Sequence, residues 1–174
     1  KPIHFLLIDK LIDIVPEKKI FSINAEYKLD SLNNPTKLLI WRTQLLSNYD
    51  SNDLFNYSSY PLDLNSSELI NKLNLVLNST NREEINFAKY YNILQVYFNN
   101  LNNIKNGMYM YSFGLNPNND SSGYCNFNKI NDAYLQLNLS KLVSYQNPVL
   151  LKGYALSLNL FRVNNGLGAI VFYS

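Results

Sequence analysis

The sequence predicts an all-β domain, an antiparallel jelly-roll sandwich of about eight strands with at most a short helix in a loop. Three observations predict it. Apolar residues recur with period two in several separate runs, as half-buried strands require. Clusters of Asn, Ser, Gly, Pro and Asp punctuate those runs at 47–53, 99–106, 116–123 and 164–168. Extended helical periodicity is missing, with one exception noted below.

In chain order, "HFLLI" and "KIFSIN" are the weakest strand candidates, and residues 1–19 read as an inter-domain linker or a first strand. "KLLIWRTQLL" (37–46) is apolar and β-rich and follows the turn-like "LNNPT". "KLNLVLN" (72–78) sets Leu73, Leu75 and Leu77 on one face. "NREEINFAKYYNILQ" opens with Asn and two acids, the signature of a short helix start, although the "ILQVYF" that it runs into is β-like. "GMYMYSFGL" (107–115) aligns Tyr109, Tyr111, Phe113 and Leu115. "YLQLNL" (134–139) aligns Leu135, Leu137 and Leu139, and "YALSLNLFRV" (154–163) aligns Leu156, Leu158 and Leu160. "GAIVFYS" closes with one more short strand.

Composition narrows the function. The 174 residues suffice for one domain with a sizeable core, and 47% of them are hydrophobic. Fifteen Lys and Arg stand against thirteen Asp and Glu, scattered without the basic stripe that neutralises phosphates, so direct nucleic-acid binding is not expected. One cysteine forms no internal disulfide, and "HFLLI" is too short for a signal or a membrane span. Together these point to a soluble protein made in the cytosol. Asn56, Asn65, Asn78, Asn119 and Asn138 sit in Asn-x-Ser/Thr triplets, but so Asn-rich a chain produces most of these by chance.

No constellation for catalysis stands out. A jelly-roll metalloenzyme needs several histidines and a carboxylate, and His4 is the only histidine. A Ser-His or Cys-His nucleophile would depend on the same His4. Asp63, Glu83, Glu84, Asp120 and Asp132 could pair in principle, yet loop acids are usually solvated. "NNGLGAIVF" has glycines but leads into a strand, so it reads as a turn and not a phosphate loop. Cys125 has no cationic cluster beside it in sequence and reads as a small residue packed at the start of a strand. Trp41 and the tyrosines could form a sugar platform, but their alternation with polar residues favours core packing. Gly123 reads as a positive-φ turn residue. The expectation is no enzyme, no cofactor and no metal.

"GMYMYSFGLNPNNDSSGYCNFNKINDAYLQLNL" resembles the most characteristic segment of the major capsid proteins of nucleocytoplasmic large DNA viruses. That family has a Gly-Ile-Tyr-x-Tyr-Ser-Phe-x-Leu-x-Pro strand followed by a Pro-Ser-Gly-x-x-Asn-Phe-Ser-Arg-Ile-Asp turn. Gly107, Tyr109, Tyr111, Ser112, Phe113, Leu115 and Pro117 match the first. Ser122, Gly123, Cys125, Asn126, Phe127 and Ile130 match the second. Upstream, Asn34, Pro35, Lys37, Leu39 and Trp41 are similar to its Asn-His-Pro-Val-Lys-Glu-Leu-x-Trp element, with a one-residue offset at the first Asn. Leu75, Leu77, Asn78 and Arg82 resemble a Leu-x-Leu-Asn-Gly-x-x-Arg element. Downstream, Asn159, Arg162, Gly166, Gly168 and Ser174 follow the closing segment. The chain departs from the pattern at Ser79 for Gly, Ser121 for Pro, and Asn128, Lys129 and Asn131 for Ser, Arg and Asp.

The resemblance implies that residues 1–174 form one jelly roll, the second and C-terminal of a double jelly-roll protein. It implies a homotrimer whose six jelly rolls make a pseudo-hexagonal capsomer tiling an icosahedral shell. Its implied partners are the N-terminal jelly roll, neighbouring capsomers and minor capsid proteins. Its implied location is the virion, with assembly in the host cytoplasm. The alternatives are a capsid-like scaffold of virion assembly and a carbohydrate-binding jelly roll.

Overall fold

Ten strands build two sheets in a computed structural model that describes residues 3–60, 68–83, 87–102, 104–118 and 122–172. Asp63, Asn65, Glu84, Asn119, Asp120, Ser121 and Ser174 lie outside the described residues. The strands are β1 (His4–Ile20), β2 (Asn24–Lys28), β3 (Pro35–Leu45), β4 (Ile70–Leu77), β5 (Thr80–Asn81), β6 (Met108–Ser112), β7 (Cys125–Asn126), β8 (Ala133–Leu139), β9 (Val149–Asn164) and β10 (Leu167–Ile170). One sheet runs β1-β9-β3-β6, with β7 added beside β3 and β10 beside β9. The other runs β2-β8-β4-β5. All pairings are antiparallel. Setting β7 and β10 aside, eight strands in two four-stranded sheets, with the chain crossing repeatedly between them, make the jelly roll.

The period-two faces become the sandwich interior. Leu73 and Leu75 of β4 and Leu135, Leu137 and Leu139 of β8 meet Leu39, Trp41 and Leu45 of β3 and Leu151 and Ala155 of β9. At roughly 25 cal/mol per Å² of apolar area removed from water, this continuous cluster is the main stabilising term of the domain. The row Leu156, Leu158, Leu160 faces the other way. In β9 the interior row is Leu151, Gly153 and Ala155, and Leu156 packs on the outer side with Leu38, Met110 and Val96. Alternation alone shows that two faces differ, not which one is inward, and here both are apolar.

A helical insertion covers that outer side. It comprises a π-helical turn, Tyr90–Leu94, running into α2 (Gln95–Phe98), and Val96, Leu101 and Ile104 rest on the sheet. A second short helix, α1 (Leu46–Asp50), follows β3. The helix expected from Asn81 begins later, because Asn81 is in β5. Asn78 (φ 49°) and Ser79 (φ 63°) form a two-residue left-handed turn that folds Thr80 back against Leu77. The β-like "ILQVYF" is helical, its branched residues held by packing on the sheet rather than by propensity.

Strand lengths also depart from expectation. The first candidate strand, "HFLLI", extends into β1, a 17-residue edge strand paired with the 16-residue β9, with register shifts near Val15, whereas "KIFSIN" is the turn from the end of β1 to the start of β2. Lys37 sits at the β3 register shift between Thr36 and Leu38. Its side chain is 1% exposed, and its ammonium donates to both carboxylate oxygens of Asp9 on β1 at 3.0 Å.

Candidate functional site

The segment that stood out in the sequence packs into the sandwich as a column of rings. Tyr109 and Tyr111 project inward from β6 and are buried. Trp41 on β3 stacks on Tyr109 with ring centroids 6.3 Å apart. The column continues through Tyr91 (5.6 Å from Trp41), Tyr111 (6.2 Å), Phe113 (5.1 Å) and Phe127 (5.6 Å). Edge and tilted contacts of this kind add about 0.5–1.5 kcal/mol each beyond area burial. Trp41, Tyr109 and Tyr111 are therefore core residues, closed to a sugar ring. Tyr91, on the helical insertion, was not singled out in the sequence. Its signal was the aromatic pair Tyr90–Tyr91 in a stretch with mixed helix and strand character.

Two carboxylates cap the phenols at the rim. The Tyr111 hydroxyl donates to Glu83 at 2.6 Å and the Tyr109 hydroxyl donates to Glu68 at 3.4 Å. Burial holds the Glu68 carboxyl above the usual carboxylate range, while the Tyr109 bond pulls it down. Asp132 accepts from Tyr134 at 3.4 Å. These acids are bonded to structural tyrosines.

β6 ends at Ser112, not at Pro117. The Ser112 hydroxyl turns onto the Gly114 carbonyl at 2.8 Å. Leu115 consequently leaves the interior face and is 87% exposed. Pro117 is buried in the following turn, where the Asn116 side chain accepts from the Asn118 N–H at 3.0 Å. Gly123 has φ +126°, the positive φ expected of it, and its Cα side lies against Gly114: a Cβ there would sit 3.3 Å from Gly114 Cα. The two glycines let two backbone segments approach closely. Asn126 ends β7, and its side chain accepts from the Asn128 N–H at 3.2 Å, capping the 3-10 turn Phe127–Lys129.

Cys125 is half-buried and pairs with Thr36. Burial pushes its thiol up, and the charge of exposed Arg82 only partly opposes this. A thiol in that state is a poor nucleophile at neutral pH. Arg82 and Cys125 share a shallow cleft of about 360 Å³ with Phe113 and Tyr124. His4 is exposed on β1, opposite Val163. Among the described residues no group of three His, Cys, Asp or Glu could hold a metal ion, and no helix is long and apolar enough to cross a membrane.

The closing motif builds a hairpin. Asn165 (φ 51°) and Gly166 (φ 82°) form the left-handed turn between β9 and β10. A Cβ on Gly168 would collide with the Phe161 ring. Arg162 is exposed, between Phe5 of β1 and Ala169 of β10. Asn159 is buried and donates to the Phe172 carbonyl at 2.8 Å while accepting from the Phe172 N–H at 3.1 Å. The motif residues thus assemble a core column, a turn and a hairpin. Among them Leu77, Arg82, Phe113 and Cys125 meet at a pocket, the shallow cleft beside Tyr124.

A family model described as "Large eukaryotic DNA virus major capsid protein" matches residues 3–169. The probable capsid protein 4 of Acanthamoeba polyphaga mimivirus is 29% identical over 167 residues, covering 91% of this chain and 32% of that protein. The major capsid protein of Chrysochromulina ericina virus is 33% identical over 100 residues, covering 56% of this chain and 17% of its own length. A quasi-atomic model of the PBCV-1 virus capsid superposes with a TM-score of 0.76 at 21% identity, covering all of this chain and 52% of the other. The Faustovirus major capsid protein gives 0.75 at 13% identity, over 90% of this chain and 33% of that one. The chain spans about a third or less of the curated relatives it matches.

Proposed function

Because this chain belongs to the large eukaryotic DNA virus major capsid protein family, we propose that it is a shell-forming jelly roll of a viral capsid, without catalytic activity. The observation that carries the proposal is the family match over residues 3–169, whose motif residues are spent on core, turn and hairpin. In this reading the chain is the C-terminal jelly roll of a longer polypeptide. Three copies associate into a pseudo-hexagonal capsomer, and capsomers contact one another and minor capsid proteins in an icosahedral virion assembled in the host cytoplasm. Three-fold closure uses a heterologous interface, two different patches on each copy.

The test is mass by light scattering on the full-length gene product, followed by negative-stain imaging of the main peak. A trimer of hexagonal outline is expected. A stable monomer that does not tile would overturn the capsomer assignment. Presence of the protein in purified particles separates a shell component from a scaffold that is lost before maturation.

A further inference from the structure

Beside the start of β4 a cleft of about 680 Å³ opens between that strand and the segment 87–94. Ile70 and Ala88 in its lining are buried, whereas Phe87, Ile93 and Leu94 are 63%, 52% and 42% exposed. A backbone bridge from Phe87 to Lys72 holds the second wall against β4, and the Tyr90 N–H donates to the Phe87 carbonyl at 3.0 Å within that wall. The cleft is therefore built by backbone pairing. Its volume is that of small-ligand pockets, which are apolar with a few converging polar groups.

Two acceptors stand among these apolar residues. The Glu68 carboxylate receives the long Tyr109 bond on Oε2, and its Oε1 has no hydrogen-bond partner among the described residues. Asn71 spends its side-chain nitrogen on the Leu139 carbonyl at 3.1 Å, which leaves its carbonyl oxygen. Lys89 is exposed and forms no ion pair with Glu68, although its charge helps to keep that carboxyl ionised. A purely apolar ligand would cover Oε1 without giving it a partner, at a cost that offsets much of what the walls contribute. A carboxylate or phosphate head would meet Glu68 as a like charge. A donor head satisfies both acceptors, and an ammonium does so with a charge-assisted bond, the strong kind.

We propose that this cleft binds a long-chain amine or amino alcohol, its alkyl chain along Phe87, Ile93 and Leu94 and its ammonium on Glu68 Oε1 and Asn71 Oδ1. The site adds a ligand to the capsid reading and does not rest on it. Trimer formation and amine binding can each fail without the other.

The test is titration calorimetry of the full-length gene product at pH 7 with octylamine, octan-1-ol and octanoate, each below its micelle concentration. Octylamine is expected to saturate one site per chain, and octanoate to bind at least about tenfold more weakly. Glu68→Gln keeps the shape and removes the charge, so octylamine should fall to the level of octan-1-ol. Ile93→Ser, at an exposed position in the wall, should weaken amine and alcohol alike. Equal affinity for amine and carboxylate, an octylamine affinity unmoved by Glu68→Gln, or binding without saturation would overturn the proposal. So would no binding at all, the result expected if another polypeptide closes the cleft. Should Glu68→Gln fail to fold, the amine–carboxylate comparison on the parent protein and the Ile93→Ser variant decide the matter alone.

Discussion

Replacing Gly123 by alanine forces a Cβ into a backbone with φ +126°, a region that residues with side chains rarely occupy. Such strain costs about 1–3 kcal/mol. The added carbon also lies 3.3 Å from Gly114 Cα and 3.5 Å from the Phe113 carbonyl, contacts that small shifts can relieve. Strain therefore dominates. For a domain of this size each kcal/mol moves Tm by about 2–4 °C, so the expected loss is roughly 2–12 °C. Valine, with its branched carbons aimed at the Gly114 backbone, should lose more. Two controls separate strain from collision. Gly166→Ala has a positive φ (+82°) with nothing within 4 Å, so it should show strain alone, about 1–2 kcal/mol. Gly114→Ala has no positive φ, but its Cβ would lie 2.6 Å from Ser122 Oγ and 2.8 Å from the Gly123 carbonyl, so it should show collision alone. The assay is thermal unfolding followed by the fluorescence of Trp41, the single tryptophan. A Gly123→Ala protein melting within about 1 °C of the parent would refute the reasoning.

Three further outcomes are expected. Asp9→Ala removes the carboxylate bonded to the buried Lys37 ammonium. Asp9 is itself 39% exposed, so the loss should fall below the 3–5 kcal/mol of a fully buried pair, at about 1–3 kcal/mol in urea unfolding, with Lys37→Met in the same background recovering part; a loss under about 0.5 kcal/mol would count against it. Glu68 has its folded value raised above the ordinary 4.5, so the stability it contributes is full below that value and lost as pH rises through the folded one. Glu68→Gln should flatten that decline in a series of urea midpoints against pH, and an unchanged slope would refute the burial argument. Ser79→Gly relieves a side chain held at φ 63° in the β4–β5 turn and should raise stability by about 1 kcal/mol; a lower urea midpoint would show that the turn is not strained.

Much of the sandwich was legible because one face of β4 and β8 is apolar and the other polar. Leu73, Leu75, Leu135, Leu137 and Leu139 announce their side by contrast with Asn74, Gln136 and Asn138. β9 gave no such contrast, since an inserted helix makes its outer row apolar too, and the inward row there is the less conspicuous Gly153 and Ala155. The turn at Gly123 was legible from residue type, whereas the end of β6 was not. A hydroxyl bond from Ser112 stops that strand, and Pro117, the more obvious punctuation, comes later. Tyr91 joins the aromatic column through a tertiary contact between a helix and a sheet, which no local pattern encodes. The stretch of β9 beyond Ser157, which pairs with β1 and β10 alone, was hidden for a related reason. Its residues read as ordinary strand, and only the register shows β3 ending before them.

The register also sets an order of events during synthesis. β1 pairs only with β9, and His4 waits for Val163. Translation proceeds at about 5–20 residues per second, so β1 stands without its partner for on the order of ten seconds after leaving the ribosome. Contacts so distant in sequence close slowly even in a finished chain. Through that interval Phe5, Leu6, Leu7 and Leu11 belong to a nascent polypeptide that cannot yet complete its sheet. The yield of folded chains is then a race between the arrival of β9 and the encounter of two unfinished chains. Slower initiation, which spaces ribosomes along the message, should favour the former.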